Sequence, residues 1–143
     1  MADPLKLRAE DEEDLAVISA ILQDALVAVG DLAFLAEESR FVLVANRFRW
    51  EMKPGDGGKR FERTLAGLAV EGVRGVKLRG FDRRDPDRIL EILAIRREDG
   101  AIIIDFSRAA SLRLETDRIH CRIEDLGEPW PTPWRPRHPL EAG

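Results

Sequence analysis

The chain has 143 residues, 44% hydrophobic and 35% charged, with 23 basic against 27 acidic side chains and a formal net charge of -4. This is the composition of one globular domain large enough to bury a core without disulfides or metal, and it excludes a disordered chain. The acidic balance offers no whole-molecule field for nucleic acid or an anionic membrane, and the single cysteine, Cys121, excludes an internal disulfide and suits a reducing compartment.

Leu5 and Leu7 alternate with Lys6 and Arg8, the pattern of a short opening strand. A helix follows. Asp11 is its predicted N-cap, Glu12, Glu13 and Asp14 suit the positive end of the helix dipole, and Leu15, Ile18, Leu22 and Ala25 form the apolar stripe. Leu26 to Val29 reads as a strand ending at the Gly30-Asp31 turn, and Asp31 to Glu51 as a β-hairpin around which the rest is arranged. In its second strand Phe41, Leu43, Ala45, Arg47 and Arg49 share one face, and Val42, Val44, Asn46, Phe48 and Trp50 the other. The strand is expected to run from the core to an exposed rim, with Arg47 and Arg49 outward and Trp50 buried. Asn46 is the polar misfit on its face.

Lys53 to Lys59 reads as the most mobile internal loop; no GxxxxGK[ST] phosphate-binding pattern can be written through it. Thr64 to Gly80 carries four glycines and is expected to be a bent strand or two strands. Phe81 to Asp87 is a surface turn. Ile89 to Ile95 and Ala101 to Phe106 are strands joined at Asp99-Gly100, and Ser111 to Glu115 is another. Thr116 or Asp117 then caps a predicted C-terminal helix ending at Leu126. Residues 128–143 hold five of the eight prolines and two of the three tryptophans, a tail of polyproline II character.

The expected fold is therefore α+β: one domain over residues 1–127, mostly an antiparallel sheet or partly open barrel of about seven to eight strands. An N-terminal helix follows the first strand, a short C-terminal helix closes the domain, and 128–143 forms a tail. Residues 1–26 lack the pattern of a signal peptide and no apolar run has transmembrane length, so the expected location is cytoplasmic with no membrane insertion.

The order of elements together with particular words resembles a group of short alphaproteobacterial proteins known only as a domain of unknown function. The residues that carry the likeness are 11–20, Gln23 to Ala25, Val29 to Leu32, Asn46 to Phe48 with Trp50 and Glu51, and Asp125 to Gly127. The resemblance covers nearly the whole chain and implies a single cytoplasmic domain without an established activity. In element order the chain is also similar to pleckstrin-homology-like domains, and Arg47-Phe48-Arg49 looks like the basic pair some of them use for phosphoinositides. It departs from them in placing a strand and helix first and its glycine-rich loop after that pair.

Chemistry-bearing residues are few: His120 and His138, Cys121, four serines and no tyrosine. No nucleophile, base and orienting group fall into a recognisable pattern, no metal-ligand spacing is present, and no cofactor is implied. The leading expectation is a non-enzymatic protein-interaction module, with homodimerisation through a strand edge as one form. Its partner-binding residues would be Arg47 and Arg49 on the rim and Trp130, Trp134, Arg135 and Arg137 in the tail. The alternative is a small-ligand-binding domain or an enzyme, with Asn46, Trp50 and Glu51 walling a cleft.

Overall fold

The computed structural model describes residues 4–49, 61–127 and 130–132, with 61 and 130–132 as backbone alone. Eleven strands are present among these residues: β1 Lys6–Ala9, β2 Leu26–Ala28, β3 Leu32–Leu35, β4 Arg40–Phe48, β5 Phe61–Glu71, β6 Gly75–Arg79, β7 Ile89–Glu98, β8 Ala101–Phe106, β9 Ser111–Glu115, β10 Cys121–Asp125 and β11 Trp130–Thr132. The helix α1, Glu12–Leu22, follows β1. Four of the strands have only three or four residues, which leaves seven longer ones and accounts for the smaller number legible in the sequence.

Every pairing is antiparallel, and the sheet is open, in the order β1-β10-β5-β4-β2-β7-β8-β9-β6, with β3 on β4 and β11 on β5. Short loops between consecutive strands dictate this antiparallel character. The sheet has two halves, joined where β2 pairs with β7. The link from β5 to β6 carries the chain from one half to the far edge of the other: Gly72 turns at φ +75°, Val73 is buried, and the Val73 amide donates to the Ser39 carbonyl at 2.9 Å. The core lies between the halves and α1, built from β4, β5 and β10 on one side and β7, β8 and β9 on the other.

Helix α1 forms for the reasons its sequence announces. The Asp11 carboxylate accepts from the Asp14 amide at 2.8 Å, three acidic residues fill the first turn, and Leu15, Ile18 and Leu22 are buried. It ends where Asp24 takes φ +66°, so that the Asp24 amide donates to the Ile92 carbonyl at 2.8 Å. α1 lies on β7, β1 and β4. Its Ser19 hydroxyl accepts from the Ile95 amide at 2.8 Å, just past the register shift between Ile92 and Ala94, and so satisfies a group that the irregular ladder exposes.

The expected C-terminal helix is not formed. Residues 121–125 are β10, inserted between β1 and β5 with Cys121 and Ile123 inward and Arg122 and Glu124 outward. The capping residues and the following Gly127 are compatible with a helix, but two unpaired strands flank this segment and pairing satisfies backbone groups on both sides of it. With that helix goes the feature that carried the likeness to pleckstrin-homology-like domains. Trp130–Thr132 adds a short strand to the start of β5, so at least these three residues of the tail join the sheet. The expected mobile loop at Lys53 to Lys59 lies outside the described residues.

Candidate functional site

The end of β4 holds a cluster of buried polar side chains. The period-two reading of this strand is correct, but its conclusion about the arginines is not: Arg47 is 0% and Arg49 5% exposed, both continuing the face of Phe41, Leu43 and Ala45 into the interior. Arg47 reaches across β5 to β10. Thr64 and Ala66, the residues between, are small enough to leave a channel, and Asp125 waits beyond Ala66. The guanidinium meets Asp125 in a fork, Nε to Oδ1 at 2.9 Å and Nη2 to Oδ2 at 3.0 Å, while Nη1 donates to the Phe48 carbonyl at 2.9 Å. Asp125 also accepts from the Leu5 amide at 2.8 Å, tying β1 into the same knot. Arg49 Nη1 donates to Glu62 at 2.6 Å. A charge expected to face water is thus paired inside, the one arrangement in which burying it is tolerable.

On the opposite face, Asn46 is fully buried; its Oδ1 accepts from Arg63 Nε at 2.5 Å, its carbonyl accepts from Arg63 Nη2 at 3.0 Å, and Arg63 stacks over Phe48 at 3.8 Å. Asn46 Nδ2 makes no hydrogen bond among the described residues. Trp50, Glu51, Trp134, Arg135 and Arg137 lie outside the described residues, and Trp130 is placed by its backbone alone, opposite Arg63. The structure therefore removes Arg47 and Arg49 from the surface and makes Asn46 part of an internal network.

Cys121 is 1% exposed on β10, among core side chains. Burial pushes its thiol up from the ordinary 9.0 to about 12, against a backbone hydrogen bond at His120 that lowers it and with the Glu71 carboxylate adding to the rise. The neighbouring His120 is half-buried, and the segment is strand, not helix. Because the folded thiol holds its proton more tightly than the unfolded one, its contribution to stability is complete below pH 9.0 and declines as pH rises toward 12. Two results are expected. Ellman's reagent at pH 8 labels the denatured protein and leaves the native one unmodified, and the stability difference between wild type and Cys121→Ala shrinks from pH 9.0 upward. Rapid native labelling would show Cys121 accessible and reactive.

A second place was not visible in the sequence. Where β3 and β4 of one half approach β6 and β9 of the other lies a partly open cleft of about 330 Å³. Leu32, Ala33 and Phe34 of β3 and Phe41 of β4 form one wall, and Val76 and Leu78 of β6 with Leu112 of β9 form the other. Arg83, on the loop between β6 and β7, is the only charged residue lining it among the described residues. That loop is held against the cleft by the Gly30 amide, which donates to the Pro86 carbonyl at 2.9 Å. A Cβ on Gly30 would stand 3.1 Å from Pro86 Cβ and 3.2 Å from the Pro86 carbonyl oxygen, so any larger residue would press the loop back by a few tenths of an ångström. Phe81 anchors the start of the loop edge-to-face on Phe106, with centroids 5.8 Å apart. Beside Arg83, Arg84 forks onto Asp82 and holds that carboxyl below its ordinary range, so the Asp82 charge is engaged by Arg84. Arg83 is exposed and makes no hydrogen bond or ion pair among the described residues.

Cleft residues come from four strands, a turn and a loop, and no spacing in the chain relates them. The usable signals were Gly30 and Pro86, two residues that fix a close approach, but neither names its partner.

The fold and the cleft together define an α+β domain built on an open antiparallel sheet, with a recess between its halves. The chain belongs to the family described as Protein of unknown function (DUF2948), which matches residues 5–138. No curated protein and no solved structure matches it. No helix among the described residues is long and apolar enough to cross a membrane.

Proposed function

We propose that this domain binds a small, largely apolar molecule in the cleft between β3–β4 and β6–β9. The observation that carries this reading is the cleft itself: its volume of about 330 Å³ falls within the range of small-molecule sites, and among the described residues its lining side chains are apolar except for Arg83, with about half of the exposed lining surface polar. Its location supports the same reading. An open antiparallel sheet leaves a gap between its halves, and the walls come from strands held by ladders on their other sides, so the recess is preformed. The reading moves the small-ligand site away from Asn46, which is engaged internally by Arg63. The interaction-module reading is weakened by the burial of the two rim arginines on which it partly rested.

The test uses N-phenyl-1-naphthylamine, an uncharged apolar dye that brightens when it leaves water. Wild type is expected to bind it saturably at one site per chain. Leu78→Trp, which places a larger side chain on the half-buried edge strand β6, is expected to abolish binding while leaving the circular dichroism spectrum unchanged. Absence of saturable binding to wild type, or unaltered binding to a folded Leu78→Trp, would overturn the assignment.

A further inference from the structure

Among the described residues the cleft is lined by one charged side chain, and its chemistry narrows the class of ligand. Resting on the reading of the cleft as a small-molecule site, we infer that its ligand is a small monoanion with an apolar body, a carboxylate whose head meets Arg83 while its chain lies against Phe34, Phe41 and Leu78. Among the described residues, Arg83 is the only charged side chain in the lining, and it makes no ion pair or hydrogen bond there. Its neighbours divide otherwise: Arg84 is taken up by Asp82 in a fork of 3.1 and 2.8 Å, and Arg88 donates to the Gly80 carbonyl at 2.9 Å. Of these three arginines, Arg83 is the one that lines the recess, and it makes no hydrogen bond or ion pair among the described residues. Its planar pair of donors matches one carboxylate, and a single guanidinium neutralises one charge, which favours a monoanion over a doubly charged phosphate ester. The apolar side chains of the walls disfavour a bare inorganic anion, for which Arg83 would be the one charged partner among the described lining residues.

The Gly30–Pro86 clip gives this arrangement its geometry. It fixes the loop at the side of the cleft, so the charge stands at the boundary with water and the apolar lining lies inward. An amphipathic ligand satisfies both environments at once: its chain leaves water and its head keeps partial hydration.

The experiment is displacement of N-phenyl-1-naphthylamine from the full chain by octanoate and by 1-octanol, which share a chain and differ in charge. Octanoate is expected to bind roughly fivefold more tightly than octanol at low salt, the size of effect an exposed charge-assisted pair supplies, with the ratio falling as salt is added. In Arg83→Gln, whose side chain is exposed and whose fold should be untouched, octanol affinity is expected to stay as in wild type and the preference for octanoate to disappear. Equal affinities for the two in wild type, or an octanoate preference that survives Arg83→Gln, would overturn the inference while leaving the cleft as an apolar site. Failure of the dye and of both competitors to bind would instead overturn the reading of the cleft, and the inference with it.

Discussion

Replacing Asp125 by alanine is expected to lower the stability of the domain by about 3–5 kcal/mol, because it strips a forked carboxylate partner from a buried guanidinium. The side chains of Arg47 and Asp125 are 0% and 3% exposed, and Asp125 also accepts from the Leu5 amide. The loss is therefore chiefly the cost of a charge left buried, and not a measure of how much the pair stabilises the fold. Two further variants separate these quantities. Asp125→Asn keeps an acceptor for the Leu5 amide while removing the charge, and should fall between wild type and Asp125→Ala. Arg47→Leu combined with Asp125→Leu removes both charges and should be more stable than Asp125→Ala by about 2 kcal/mol or more, because neither partner is then stranded. Urea unfolding followed by tryptophan fluorescence reads all three. A change under about 1 kcal/mol in Asp125→Ala would mean that Arg47 finds water or another carboxylate when Asp125 is gone.

Gly80→Ala is the second variant with a large expected effect, a loss of about 2–4 kcal/mol combining backbone strain with steric overlap. Gly80 follows β6 at φ +81°, a conformation that costs any residue with a Cβ. That Cβ would also lie 2.9 Å from the Ala109 carbonyl oxygen and 3.0 Å from Ala110 Cα. Both obstacles are backbone, in the turn between β8 and β9 where Arg108 and Ala109 already hold φ +61° and +60°. A turn of that kind has little freedom to retreat. Gly100 is the control: its φ is +73°, but nothing lies within 4 Å of its Cβ position. Gly100→Ala should lose only the conformational part, about 1–2 kcal/mol. Equal losses at the two positions, measured by thermal and urea unfolding, would mean that the contact with Ala109 contributes nothing.

Much of the local structure was legible because it rests on interactions between near neighbours. The Asp11 cap, the acidic first turn and the stripe of Leu15, Ile18 and Leu22 define α1 within one stretch of chain. Asp99-Gly100 announces the turn between β7 and β8, and the alternation along Phe41 to Arg49 correctly states which side chains share a face. The antiparallel character of the sheet follows from connections too short for crossover helices. Near-neighbour physics also explains the error at β10. Capping residues before and glycine after the segment satisfy the rules for a helix, and only the presence of β1 and β5 on either side makes a strand the lower free energy.

What the chain alone determined is therefore its class, the helix α1 and most of its strands. Which way Arg47 points was decided by the tertiary structure, because its carboxylate lies 78 residues further on and is brought within reach only when β10 takes its place beside β5. The cleft was decided in the same way: its walls meet because the sheet halves approach, and Arg83 stands at its side because Gly30 admits Pro86. Periodicity and capping report a residue's nearest neighbours along the chain. The pairing of a buried charge and the shape of a recess depend on partners that the chain places far away, and those energies are settled only when the strands are in register.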